Sequence, residues 1–338
     1  MKLEQPVILA IESSCDDTSA AVLKGTEVLS NVIATQDVHK EFGGVVPELA
    51  SRAHQKNIIP VVDSALKKAG ITKEELSAIA FTSGPGLLGS LLVGVSFSKS
   101  FSMALGIPLI EVNHMEAHIL AHLIQDGSPI PEFPFLCLTV SGGHTQLVVV
   151  KSPSEMEVIG ETIDDAAGEA FDKVAKIMGL PYPGGPLIDK YGKLGDPNAF
   201  PFPHPKVGKL EFSFSGLKTA VLYFLQKEVK KNPDFVTERL NDICASVQKT
   251  ILDILLKKID NAVKQTGIRR IAIAGGVSAN SELRSRLADQ TKRGWEVFIP
   301  AFEYCTDNAA MIGVVGYHKF QKDNFVDLSI TANARMKI

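Results

Sequence analysis

The feature that most restricts the fold of this chain is a pattern that occurs twice. Pro6 to Ile11 is a short apolar run, and it ends in the polar stretch Glu12-Ser13-Ser14-Cys15-Asp16-Asp17-Thr18. Two more apolar runs follow, Ser19 to Leu23 and Val28 to Ala34. Placing Thr18 on Thr145 repeats the pattern: Phe135 to Val140, the turn Ser141-Gly142-Gly143-His144-Thr145, then Gln146 to Val150 and Glu157 to Ile159. Apolar stretches of this length between polar turns read as a meander of strands. Pro47 to Ala69 reads as a helix and Leu76 to Thr82 as a further strand. Two such halves predict two related α/β domains with a cleft between them. A chain of 338 residues also exceeds what one core readily serves.

Composition narrows the class. Hydrophobic residues make up 45% and charged residues 22%, the balance of a globular protein. There is no unbroken apolar run of about 18 residues, and Met1 to Pro6 lacks the layout of a signal peptide. The four cysteines, Cys15, Cys137, Cys244 and Cys305, form no Cys-x-x-Cys pair. A cytoplasmic protein with no membrane span is expected.

Several turns have the makeup of ligand sites. The two repeat turns are built from Ser, Gly, Asp and Thr, whose N–H groups and hydroxyls can cradle a phosphate; either alone is an ordinary hairpin turn. A third follows the strand Ile268 to Ala274, where Gly275-Gly276-Val277-Ser278-Ala279-Asn280 opens a helix. Gly84-Pro85-Gly86-Leu87-Leu88-Gly89 fits G-x-G-x-x-G between a strand and a helix, Ser90 to Leu105, with Glu111 near the place of a ribose-binding acid. Against a dinucleotide site, the motif is not on the first strand, and Pro85 removes a donor that a pyrophosphate needs.

His114 and His118 stand at i and i+4 at a strand-to-helix junction, so both imidazoles can chelate one metal ion. His122 continues that face two turns from His114 and reads as a supporting residue. The spacing suggests a zinc protease, but Glu116 lies about 200° around the helix from each histidine, so the general base is missing. Asp307, at the start of a helix, is a candidate third ligand; the alternative is a helix cap. Two imidazoles and one carboxylate leave open positions and suit Fe(II), with Zn(II) as the alternative.

Taken in order, Glu12-Ser13-Ser14-Cys15-Asp16-Asp17-Thr18, His114-x-x-x-His118, Val140-Ser141-Gly142-Gly143-His144-Thr145, Phe212-Ser213-Phe214-Ser215-Gly216-Leu217-Lys218 and Thr306-Asp307-Asn308 resemble the bacterial tRNA N6-adenosine threonylcarbamoyltransferases. The resemblance runs from about residue 7 to residue 335. It implies an actin, hexokinase and Hsp70-like fold of two duplicated ribonuclease-H-like domains. The domains would be residues 1–112, joined by a C-terminal helix at about 308–325, and residues 113–307 with the metal and substrate site at the cleft. It implies transfer of a threonylcarbamoyl group from threonylcarbamoyl-adenylate to N6 of adenosine 37 in tRNAs reading codons that begin with A. Metal ligands would be His114, His118 and Asp307. Substrate contacts would fall on Thr139, Val140, Ser141, Gly142, Gly143, Asp172, Gly185, Asp189 and Asn280. Thr139 replaces the hydrophobic residue usual there. A paralogous actin-like partner and a small ATPase are the implied protein partners.

The net charge of -3 argues on its own against nucleic acid, yet it hides a polarity. From His204 to Gly294 there are 17 Lys+Arg and 9 Asp+Glu, a local surplus of +8, and the rest carries -11. Lys206, Lys209, Lys218, Lys227, Lys230 and Lys231 form a cluster that could meet tRNA phosphates or simply face solvent. Gly84 to Gly94 is the expected surface for the paralogous partner. Three other functions compete: a nucleotide-dependent kinase or ATPase of the same fold using Asp16 or Asp17, a metalloprotease, and a non-enzymatic scaffold.

Overall fold

The computed structural model describes residues 5–36 and 38–338, and packing divides the chain into two units. The first holds residues up to Pro131 together with Pro300–Ile338; the second is the uninterrupted segment Glu132–Ile299. The sequence placed the divisions at 112 and 307 instead. The difference arises because the helix bearing the histidine pair continues directly from a strand of the first sheet and packs on the C-terminal helix.

In the first unit the elements are β1 (Val7–Glu12), β2 (Thr18–Lys24), β3 (Glu27–Ala34), α1 (His39–Phe42), α2 (Pro47–Ala69), β4 (Ala78–Gly84), α3 (Leu88–Leu105), β5 (Leu109–Asn113) and α4 (His114–Leu120). In the second they are β6 (Phe135–Val140), β7 (Thr145–Ser152), β8 (Glu155–Glu161), α5 (Ala167–Ile177), α6 (Gly184–Gly192), α7 (Ser215–Val229), α8 (Phe235–Glu238), α9 (Leu240–Thr266), β9 (Arg270–Ala274), α10 (Ser281–Ala288) and β10 (Glu296–Phe298). The chain then returns to the first unit with α11 (Ala309–Phe320).

The duplication is visible in the topology. The first sheet has the order β3-β2-β1-β4-β5, and the second runs β8-β7-β6-β9-β10. In each, the first three strands are antiparallel and the last two join in parallel. Thr18 and Thr145, the residues that set the repeat, each open the second strand of their sheet.

Strand β1 is apolar along its length because both its faces are covered. Leu9 and Ile11 enter a core with Ile58, Val61 and Val62 of α2 and Val95 of α3. On the opposite face α11 lies close to the strands: a side chain at Gly313 would strike Leu23, and one at Gly316 would meet the Cβ of Ala80 at 2.6 Å. The second unit buries Leu136, Leu138 and Val140 of β6 against Phe171 and Val174 of α5 and Ile251 and Leu255 of α9. Helix α3 is long and apolar enough to cross a membrane, yet it packs against α2 and β4 of its own unit.

Candidate functional site

Strands β1, β4 and β5 run parallel, so their carboxyl ends meet at one edge of the first sheet, where ligands of open α/β sheets collect. Glu12 ends β1, Thr82 lies near the end of β4, and His114 follows β5 directly. Asn113 caps α4: its Oδ1 accepts from the amides of Met115 at 2.8 Å and Glu116 at 3.3 Å. This starts the helix at His114 and puts His118 one turn on. Asn308 caps α11 in the same way, accepting from the Met311 amide at 3.1 Å. Asp307 is thereby relieved of the capping role that sequence allowed it.

The three residues converge. Asp307 Oδ1 lies 3.4 Å from His114 Nε2 and 3.2 Å from His118 Nε2, and the rings stand edge to face with centroids 4.7 Å apart. The donor atoms all lie within 4.8 Å of one another, so the group can hold a metal ion. Two imidazole nitrogens and one carboxylate oxygen this close together are a fitting donor set for a divalent transition metal. His122 is buried in the following turn and is outside this group.

The electrostatics reflect the convergence. Burial opposes charge on His114, but the carboxylates of Glu12 and Asp307 outweigh it and hold the imidazole well above its usual range. Burial also works against the charge of Asp307, and the two histidines reverse that and hold its carboxyl well below the ordinary range. Burial, helped by Asp307 and Asp16, pushes the Cys15 thiol far up, which opposes thiolate formation. Burial raises Glu116 as well.

Sequence reasoning passed over Glu12 as a site residue. Its Oε2 lies 3.1 Å from His114 Nδ1, and it is fully buried. The available signal was an acid at the end of a strand that is otherwise apolar.

The glycine motif turns inward. The Leu87 amide donates to Ser14 O at 2.7 Å and the Gly86 amide to Ala334 O at 3.3 Å, so neither is offered to a pyrophosphate. A side chain at Gly89 would lie 3.2 Å from Ser51 Cβ of α2, and one at Gly94 would strike Ser13 Oγ. These glycines allow close packing within the chain, while Leu88 and Leu92 on the same helix remain exposed.

In the second unit the remaining candidates are linked in a closed circuit. The Ser141 to His144 turn is closed by Ser141 N donating to His144 O at 2.8 Å, and Gly142 and Gly143 are exposed with open space beside them. Gly168, at the start of α5, donates to Ser141 O at 3.1 Å. One turn on, Asp172 Oδ1 accepts from the amides of Gly184 and Gly185 at 2.8 and 3.2 Å and so caps α6. Burial raises its carboxyl despite these amides. Asp189 on α6 accepts from the Ser281 hydroxyl at 2.8 Å, at the N-terminus of α10. Asn280 caps α10 through the Leu283 amide at 2.9 Å and donates to Gln248 Oε1 at 2.8 Å. Gly275, at φ 87, returns the circuit to β6, because a side chain there would lie 2.6 Å from Val140 O. Thr139 and Val140 are buried, so β6 can offer a ligand only backbone at this edge.

Comparisons with known proteins identify the family. The family model described as tRNA N6-adenosine threonylcarbamoyltransferase matches residues 27–314. The chain belongs to that family. A threonylcarbamoyltransferase of Christiangramia forsetii is 66% identical over 332 residues, covering 98% of both chains. One of Porphyromonas gingivalis is 57% identical over 336 residues, again covering 98% of both. Among solved structures, full-length HypF in its phosphate- and nucleotide-bound form aligns at 15% identity with a TM-score of 0.62, covering 96% of this chain and 48% of that one. The (R)-2-hydroxyglutaryl-CoA dehydratase component A of Acidaminococcus fermentans aligns at 15% identity with a TM-score of 0.52, covering 93% and 98%. These distant structures bear out the duplicated actin, hexokinase and Hsp70-like fold. The kinase, protease and scaffold alternatives are not favoured for a member of the threonylcarbamoyltransferase family.

Proposed function

We propose that this chain transfers the threonylcarbamoyl group of threonylcarbamoyl-adenylate to N6 of adenosine 37 of tRNAs reading codons that begin with A, releasing AMP. We assign one divalent ion to His114, His118 and Asp307, with Fe(II) favoured by the open positions and Zn(II) the alternative. The observation that carries this reading is the convergence of the three donors in a chain of this family. When bound, the ion supplies a Lewis acid and a template for the donor.

The rest of the chemistry falls to the chain. In the transfer, N6 bonds to the carbamoyl carbon, the bond from that carbon to the adenylate oxygen breaks, and one N6 proton is released. The exposed Gly142 and Gly143 amides offer donors to a phosphate or carbonyl oxygen, with Ser141 fixing the turn. Asp172, Gly185, Asp189 and Asn280 hold the N-termini of α6 and α10 in place for substrate groups. No side chain stands out as a general base, so positioning of the weakly nucleophilic amine carries much of the acceleration. An adenine must leave its stack to reach such a site. The exposed Lys206, Lys209, Lys227, Lys230 and Lys231 serve tRNA phosphates. The paralogous partner and small ATPase rest on the family resemblance, as does cytoplasmic location.

Incubating the purified chain with threonylcarbamoyl-adenylate and unmodified tRNA, then digesting to nucleosides, tests the proposal. Modified adenosine should appear with wild type and fall at least about 100-fold in Asp307→Ala. Undiminished product from a metal-free Asp307→Ala chain would refute the assignment.

A further inference from the structure

At 0% exposure, Glu12 is the most deeply buried acid among the described residues. A carboxylate so placed is costly unless its oxygens are matched by donors. They are matched here. Oε1 accepts from the Ser14 backbone amide at 2.5 Å, and Oε2 accepts from the Thr82 hydroxyl at 2.5 Å. The third neighbour is His114 Nδ1, 3.1 Å from Oε2. An ionised carboxylate only accepts, so Nδ1 carries the proton in this bond, and the Ser14 hydroxyl 3.2 Å from Nδ1 is the weaker, neutral alternative partner. When a metal ion takes the place of the Nε2 proton, an imidazole that keeps its proton on Nδ1 offers the ion the Nε2 lone pair, on the atom that faces Asp307. His118 has no such support among the described residues, where its buried Nδ1 has no hydrogen-bond partner.

We infer that Glu12 is the positioning residue of the metal centre, fixing the tautomer and ring orientation of His114 so that Nε2 is offered to the ion. The inference rests on the assignment of the ion to His114, His118 and Asp307. A residue behind a ligating histidine orients the ring and sharpens its basicity, and its loss typically costs about 10–100-fold in metal affinity. Glu12→Gln keeps the shape but inverts the donor pattern. The fixed Ser14 amide claims the one amide oxygen, and the NH2 group turns toward Thr82 and His114. The Thr82 hydroxyl can rotate to accept, whereas His114 Nδ1 faces a second donor and must either direct its N–H at the weaker Ser14 hydroxyl, 3.2 Å away, or move the proton to Nε2, which closes that atom to a metal.

The experiment titrates Co(II) into the full-length wild type and Glu12→Gln, reading affinity and the visible ligand-field spectrum. The expected result is a dissociation constant about 10–100-fold higher and an altered spectrum in Glu12→Gln. Equal affinity and an identical spectrum would overturn the inference. A measurement on wild type alone guards against a variant that does not fold: nitrogen NMR of the Zn(II)-loaded chain should show His114 protonated at Nδ1 and metal-bound at Nε2, and the reverse assignment overturns the inference. A wild-type chain that takes up neither ion would instead sink the metal assignment itself, and the role of Glu12 with it.

Discussion

At the scale of single residues, adjacent glycines of the Pro183-Gly184-Gly185 turn separate folding from function. A side chain at Gly184 would strike Ala175 Cβ, whereas one at Gly185 would meet only Phe171 Cβ at an ordinary 3.8 Å. Gly184→Ala should therefore cost about 1–3 kcal/mol in denaturant unfolding. Gly185→Ala should stay within about 0.5 kcal/mol of wild type, so that any loss of transfer activity it causes reports on close approach of substrate. At this scale the sequence was informative only where spacing along one helix carried the geometry. His114 and His118 were legible because four residues make one turn. Glu12 was not, because its partners Thr82 and His114 lie 70 and 102 residues away and are brought to it by sheet pairing.

At the scale of elements, the second unit closes helix N-termini with acids borrowed from elsewhere in the chain. Asp172 does this for α6 and Asp189 for α10. Asp164 does it for α7, accepting from the amides of Phe214 and Ser215 at 2.7 and 3.3 Å and from the Ser215 hydroxyl at 2.8 Å. Partial burial raises the Asp164 carboxyl, but the hydroxyl of Ser213 and these donors lower it further, leaving it below its ordinary 3.8. A group depressed in the folded state contributes stability above its unfolded value, and that contribution is lost as pH falls through the folded value. Asp164→Ala should thus be less stable than wild type by about 1 kcal/mol at neutral pH. The gap should close as pH is lowered below 3.8, read as converging urea midpoints. Strand positions were legible from the apolar runs, and Pro47–Ala69 matches the helix read from sequence. Capping by distant acids was not, because a cap is recognised in sequence only beside the helix it serves.

At the scale of the whole molecule, the second unit is one continuous segment, and the first is completed only by residues from 300 onward. Residues 132–299 expressed alone should unfold cooperatively, as judged by calorimetry, because the segment carries its own sheet and core. Residues 1–131 alone should not, because α11 covers β1, β2 and β4. Charge-neutral replacement of Lys206, Lys209, Lys227 and Lys230 should weaken tRNA binding and flatten its salt dependence, by about 0.9 in log–log slope for each duplex phosphate that is no longer neutralised. The duplication itself was legible, since Thr18 and Thr145 open equivalent strands. The same threading orders events during synthesis. His114 and His118 leave the ribosome well before Asp307 and the helix behind it, which follow His118 by 189 residues. At roughly 5–20 residues per second, close to ten seconds or more pass before the three donors coexist. Chains cut short by premature termination before Asp307 therefore lack the carboxylate donor, and the ability to retain metal through it marks molecules whose translation has passed that residue.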